Sequence, residues 1–331
     1  MSLSNKNFHS LQSIKDPIES ELKQFTTFFR EAMRSQVGLV DLVARYIIRQ
    51  KGKRVRPILV FLSAKACGSI QESTFRAATL VEILHTATLI HDDVVDDADT
   101  RRGFASINAV WKNKVAVLMG DYLLSRGLLL SLEHDDTYFL LCTSRAVKRM
   151  SEGELLQIQK SRQLNTDEET YLKIISDKTA SLLSTCTEIG AASTTEDKEK
   201  RALFRNFGEN VGIAFQIRDD LLDYLGRRSI IGKPTGTDLK EKKLTLPFIY
   251  ALRQAPQKEA KQALKLVKSG ARKKELFWVL DFIQAHGGIE YSKGRAEYYA
   301  QQARQCLVPV PDSEAKHALL QFVDFVIERE S

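Results

Sequence analysis

The chain has 331 residues, of which 43% are hydrophobic and 27% charged, the composition of a soluble globular protein with a sizeable core. Its 17 glycines and 7 prolines are too sparse for an all-β design. The formal charge of +7 is modest and spread along the chain, so it suits anionic small molecules or a membrane surface, and no nucleic-acid partner is expected.

The first residues lack a basic stretch followed by an apolar one, so no signal peptide is expected. Pro17 falls in the first turn of a helix starting near Asp16, and helical spacing resumes over Leu39–Ile48. Lys51–Pro57, KGKRVRP, is a basic loop leading into the apolar run Ile58–Ala66. A long helix is predicted from about Glu72 to Asp97. Another, Lys114–Leu132, is apolar nearly all round and is therefore expected at the centre of the fold. Further helices are predicted near Asp135–Arg162, Asp167–Ile189, Lys198–Leu225, Leu244–Arg253, Glu259–Val267, Lys273–His286, Ile289–Cys306 and Ser313–Glu330. Period-two runs are nearly absent, and the one long non-helical segment is Gly226–Leu244. The fold class is all-α, with residues 1–331 forming one domain that includes N-terminal helices (1–50) and C-terminal helices (248–331). Cys67, Cys142, Cys186 and Cys306 lie far apart without metal-ligand spacing, as expected of reduced thiols in the cytoplasm. No uninterrupted apolar stretch reaches membrane-spanning length.

The chemistry concentrates in Leu89–Gly103, LIHDDVVDDADTRRG, where Asp92, Asp93, Asp96, Asp97 and Asp99 crowd together ahead of Arg101 and Arg102. Asp92 and Asp96 are four apart and share a helix face, with Asp93 flanking them. Hard carboxylate oxygens so placed suit Mg²⁺, which completes its shell with water and substrate phosphates. The pattern recurs at Asp219, Asp220 and Asp223, and a solvated acidic face would not repeat with one spacing in two apolar helices. Lys53, Arg54, Arg56, Arg101, Arg102, Lys178, Lys233, Lys240, Lys242 and Lys243 fall at helix ends or in loops. Metal-binding carboxylates combined with guanidinium and ammonium groups call for a polyanion such as diphosphate. His85 is two turns before Asp92 on the same face and can donate to an oxyanion. His85 and His91 are six apart and diverge, which argues against an HD-type phosphohydrolase site.

Five segments occur in order: GKRVRP at Gly52–Pro57, DDxxD…RRG at Asp92–Gly103, KTASL at Lys178–Leu182, FQIRDDxLD at Phe215–Asp223, and GKPxGxD…KxTLP at Gly232–Pro247. Together they closely resemble the trans-polyprenyl diphosphate synthases, the chain-elongating isoprenyl transferases. The resemblance implies a homodimeric bundle of about ten core helices around a deep cavity. It implies that Asp92 and Asp96, with Asp93, bind Mg²⁺ at the allylic diphosphate, that Asp219 holds a further ion with Asp223 in support, and that about three ions take part. Arg101, Lys178, Lys233 and Lys243 would hold the allylic diphosphate, and Lys53, Arg56, His85 and Arg102 the isopentenyl diphosphate. Thr179 and Gln216 match positions at the reacting end. Lys242 stands where the family often has glycine, which leaves Lys242 and Lys243 both as candidates for the phosphate contact.

Ala87 and Thr88 precede Asp92, where bulky aromatics close the cavity in short-chain members of this family. Both are small here, and Gly127 on a facing segment is expected to leave room as well. These features imply an all-trans product of about six to ten isoprene units, with peripheral membrane contact on release. Two rivals remain: a class I terpene cyclase, which would replace the second aspartate set with an Asn/Ser/Glu triad, and a non-catalytic subunit of a heteromeric synthase, which would tend to have lost one set.

Overall fold

The computed structural model describes residues 11–50, 52–225, 236–270 and 272–328. Lys233 lies outside them. Near the N-terminus α1 (Leu11–Lys15) precedes the predicted start, and Asp16–Ile18 forms a single 3-10 turn with Pro17 inside it. Then come α2 (Glu19–Ala32), α3 (Gly38–Arg49) and α4 (Val55–Cys67). Next is the 24-residue α5 (Glu72–Val95), which ends two residues before the predicted boundary. Asp97 adopts φ +48°, and the Ala98 amide donates to the Asp93 carbonyl at 2.9 Å, a left-handed close of the Schellman type.

After that close, β1 (Thr100–Arg101) and β2 (Phe104–Ala105) pair as a minimal antiparallel hairpin. Its two turn residues, Arg102 and Gly103, have φ of +53° and +79°, the sign required at both positions of a type I′ turn. Glycine accepts that conformation without penalty. The RRG motif is thus a tight turn that fixes two arginines in space.

Beyond the hairpin are α6 (Ile107–Leu132), α7 (Thr137–Gln163) and α8 (Glu168–Ile175). The predicted helix Asp167–Ile189 is interrupted after α8 by a π-turn, Ser176–Ala180, in which the Ser181 amide donates to the Ser176 carbonyl. It resumes as α9 (Ser181–Ala192). The 28-residue α10 (Lys198–Leu225) follows, and then α11 (Thr237–Lys240), α12 (Leu246–Gln254), α13 (Gln257–Lys268), α14 (Lys273–Ala285), α15 (Gly288–Cys306) and α16 (Glu314–Glu328).

The central helix is α9 and not α6, contrary to the sequence expectation. All twelve residues of α9, SLLSTCTEIGAA, are buried. Its small side chains admit neighbours at close range, and α4, α7 and α10 all pack on it. By contrast α6 packs one side on α5 and leaves Val117, Leu118, Leu128, Leu129 and Leu132 exposed. An apolar helix surface can face a partner as well as a core, and periodicity does not distinguish the two. Among the described helices α6 alone is long and apolar enough to cross a membrane, although it carries Asp121 and Arg126.

Two apolar clusters organise the molecule. Phe25, Phe61 and Phe207 anchor one, Phe248, Ile283 and Leu221 the other, and α10 contributes to both. A fully buried side chain of this size stabilises the fold by roughly 1.5–3 kcal/mol. Because α10 enters both clusters, its C-terminal end is held firmly, and that end carries the second aspartate set.

Candidate active site

Both aspartate sets occupy the C-terminal ends of long helices. Asp92 and Asp93 are in the last turn of α5 with Asp96 as its C-cap, and Asp219, Asp220 and Asp223 are in the last turns of α10. The helix dipole is negative there, so carboxylates are in an unfavourable place and a cation is in a favourable one. Burial pushes the Asp92 carboxyl above its usual range; Lys178 and Arg101 counter this, while Glu154 and Asp96 add to it. Burial likewise raises Asp220, with Asp238 and Asp219 adding repulsion, and raises Asp238, with Asp223 and Asp219 adding theirs. These are hard oxygen donors short of positive charge.

One lysine borders a member of each set. Lys243 lines a cavity of about 130 Å³ with Lys178, Thr179, Gln216, Asp220 and Asp238. It also lines an adjoining cleft of about 920 Å³ with Asp96, Glu154 and Gln157. Burial alone would lower the Lys243 ammonium, but Glu241 at 2.6 Å, Asp238 and Asp96 together raise it. The exposed Lys242 borders only the larger cleft and adopts φ +60°. That left-handed backbone is one that a glycine takes without strain. Of the two candidates, only Lys243 lines both spaces.

The individual carboxylates divide their labour. Asp93, expected beside the metal, is 3% exposed, and its Oδ1 accepts from Arg101 Nε at 2.8 Å and from an Arg101 terminal nitrogen. Asp93 directly follows Asp92, a rotation of about 100° on a helix, which carries it to the hairpin side. Asp223 accepts the Thr237 and Asp238 amides at 3.1 Å each, capping α11. Asp220 accepts from Tyr171 Oη at 2.6 Å and Gln216 Nε2 at 2.8 Å, and Thr179 Oγ1 donates to Gln216 Oε1 at 2.9 Å. Gln216 and Thr179 are therefore oriented by a continuous chain of hydrogen bonds that starts at Tyr171. Lys178 pairs with Glu154.

A second cationic group lies at the α4–α5 side. Burial depresses the His85 imidazole well below its usual range, and Arg56, Arg102 and Arg101 push it the same way, so it is neutral near pH 7. Arg56, Arg102 and Arg101 thus gather positive charge around this histidine. The buried Nε of Arg56 has no hydrogen-bond partner among the described residues. Gly52 stands against Arg102, since a Cβ there would meet Nη1 at 2.5 Å. Glu82 is immersed among Arg56, Arg102 and Arg54. Lys53 is exposed in the preceding loop. His91 turns the other way, to Asp121 at 3.5 Å on α6, so the two histidines do not converge.

The chain-length positions differ from each other. Ala87 is fully buried and borders no space that water enters, whereas Thr88 is half-buried and donates to the His85 carbonyl at 2.9 Å. Gly127 does not leave room: a Cβ there would sit 3.2 Å from Leu80 Cδ1, so the position is taken by close packing of α5 on α6.

Sequence reasoning missed Asp238, Glu154, Tyr171 and Glu82. Asp238 was within reach, as the last residue of the quoted GKPxGxD segment. The other three stand in ordinary helical context, and only the folded chain brings them to the site.

A family model described as "Polyprenyl synthetase" matches residues 38–280, which include both aspartate sets and the arginine hairpin. The chain belongs to this family. Polyprenyl synthetases are Mg²⁺-dependent prenyltransferases acting on isopentenyl and allylic diphosphates. Among the relatives, the all-trans-nonaprenyl-diphosphate synthase (geranyl-diphosphate specific) of Rhodobacter capsulatus is 37% identical over 96% of this chain and 98% of its own. Heptaprenyl diphosphate synthase component 2 of Bacillus subtilis is 34% identical, covering 95% of this chain and 87% of its own. A solved polyprenyl synthase of Caulobacter crescentus, complexed with calcium and isoprenyl diphosphate, superposes with a TM-score of 0.89 at 31% identity. That likeness covers 98% of this chain and 100% of the other. The polyprenyl synthetase fold thus accounts for the all-α architecture.

Among the described residues no three His, Cys, Asp or Glu side chains form a closed metal cage. Mg²⁺ is commonly held by one or two carboxylates and completes its shell with water and substrate phosphates. The all-oxygen donor set at two helix C-termini fits the ion.

Proposed function

We propose that this polyprenyl synthetase extends an allylic diphosphate with isopentenyl diphosphate to an all-trans product of about six to ten isoprene units. The observation that carries the proposal is that Asp220 and Asp96 line adjoining spaces that share Lys243, with Lys178 beside Asp92 and a separate group of arginines around His85. Asp92, Asp96 and Asp219 would hold about three Mg²⁺, which when bound supply Lewis-acid neutralisation of the diphosphate charge. Arg101, Lys178 and Lys243 hold the allylic diphosphate and stabilise it as it leaves the allylic carbon. Arg56, His85 and Arg102, with Lys53 at the rim, hold the isopentenyl diphosphate so that its double bond faces that carbon. A carbon–carbon bond forms, and a proton leaves to the departed diphosphate. The carbonyl oxygen of Gln216, held by Thr179, offers a dipole at the reacting end.

The product range is supported by the small, half-buried Thr88 and by relatives named for nonaprenyl and heptaprenyl products. The exposed apolar face of α6, continued by Leu141 of α7, supports a homodimer. Thiols at four separated positions, two of them buried, support a cytoplasmic setting. The decisive experiment supplies purified chain with isopentenyl diphosphate, a short allylic primer and Mg²⁺, and sizes the products. A ladder ending between about six and ten units is expected. Diphosphate release without use of isopentenyl diphosphate would overturn the proposal in favour of a cyclase. One relative's name, a synthase "component 2", favours a second reading, a subunit of a heteromer. No elongation by the chain alone, restored by a partner, would select it.

A further inference from the structure

The π-turn that carries Lys178 and Thr179 is held from outside the active site. Arg149, on α7, donates from Nε to Asp177 Oδ1 at 2.8 Å and from Nη2 to Ser176 Oγ at 2.8 Å. The same guanidinium donates to both oxygens of Glu209 on α10, Nη2 to Oε1 at 2.7 Å and Nη1 to Oε2 at 3.1 Å. Ser176 Oγ in turn donates to Glu209 Oε1 at 2.5 Å, and Lys173 holds the other Asp177 oxygen at 2.8 Å. One planar cation therefore ties α7, the first two residues of the π-turn and α10 together, and the two-pronged guanidinium geometry is one a lysine cannot reproduce. Gly153, one turn further along α7, completes the seat, because a Cβ there would stand 3.0 Å from both Asp177 Cβ and the Lys178 amide nitrogen.

An inserted residue in a helix rotates the side chains after it by about 100°, and such turns persist only where surrounding contacts hold them. Here the rotated residues are Lys178, paired with Glu154, and Thr179, bonded to Gln216. None of the contacts made by Arg149 is with a group assigned to substrate.

We propose that Arg149 is a positioning residue: with Glu209, it clamps the π-turn so that Lys178 and Thr179 face the allylic diphosphate. This rests on the reading of Lys178 as a ligand of that diphosphate. The clamp lies apart from the arginine–histidine site at α4 and α5, so it bears on one substrate and not the other.

The test is steady-state kinetics of the full-length enzyme with Mg²⁺, varying each diphosphate in turn, for the wild type, Lys178→Ala, Arg149→Met, Arg149→Lys and Glu209→Gln. Arg149→Met should raise KM for the allylic substrate about tenfold, because misplacement by an ångström is costly in a preorganised site. KM for isopentenyl diphosphate should change little. Arg149→Lys should rescue only a small part, since an ammonium cannot serve all three partners in the same geometry. Glu209→Gln keeps the shape and removes the charge, so it should shift allylic KM in the same direction, and it serves as the readout if Arg149→Met does not fold. If Lys178→Ala raises allylic KM while Arg149→Met and Glu209→Gln lower only the melting temperature, the clamp is overturned and the reading of Lys178 stands. If Lys178→Ala leaves allylic KM unchanged, that reading falls and takes the clamp with it.

Discussion

At the residue scale the site depends on charges held where the fold alone would not favour them. Asp92 and Asp219 lie at the negative ends of helix dipoles, so a bound cation offsets both dipole and mutual repulsion. Asp92→Ala or Asp219→Ala should cost about 10²–10³ in Mg²⁺-dependent turnover while leaving the circular dichroism spectrum unchanged. Near-full turnover would remove the metal assignment. His85 yields a prediction that needs no substrate. Burial and three arginines hold its pKa below the ordinary value of 6.5. As pH falls below 6.5 the unfolded chain takes a proton that the native state refuses, so stability declines by at most about 1.4 kcal/mol per pH unit. The raised carboxylates Asp220 and Asp238 act in the opposite sense, which is why the comparison must be between variants. Denaturant melts between pH 7 and pH 5 should show a smaller loss for His85→Gln than for the wild type.

At the element scale, irregular pieces carry much of the function. The hairpin of β1 and β2 turns the run DADTRRG into a scaffold in which Arg101 meets Asp93 and Arg102 meets Gly52. Gly103→Val places a β-branched residue at φ +79° and should destabilise the turn by roughly 1–2 kcal/mol. A rise in KM for isopentenyl diphosphate should accompany the lower melting temperature if the displaced Arg102 holds that substrate as proposed. On α5 the two chain-length positions now make different predictions. Thr88→Phe, at a half-buried site, should shorten the product by one or more units when the lipid is sized. Ala87→Phe would overpack a sealed position, so a fall in stability of about 1–3 kcal/mol should come with any change in length.

At the scale of the whole molecule, the unburied apolar surface is concentrated on α6 and the neighbouring face of α7. Leu118 is 59% exposed and Leu132 55%, and they lie on a helix whose other side is packed against α5. A second copy of the chain would cover that face. Leu118→Glu should shift the sedimentation profile toward monomer, because burying an unpaired carboxylate at an apolar contact is costly. An unchanged dimer would assign the contact to another face.

The sequence by itself determined the all-α class, most helix boundaries within a few residues, and the residues of both aspartate sets. Those features are local: periodicity, capping and i,i+4 spacing are properties of a dozen neighbouring residues. It also determined the family, because five short motifs in fixed order are rare by chance. Only the tertiary structure decided which apolar helix is central, since α9 is buried by its small side chains and α6 presents its leucines outward. Likewise it alone turned Asp93 to Arg101 and placed Lys243, but not Lys242, along both spaces of the site. The clamp of Arg149, Asp177 and Glu209 joins residues up to 60 positions apart. No local pattern encodes such a contact; it exists only once α7, the π-turn and α10 have packed.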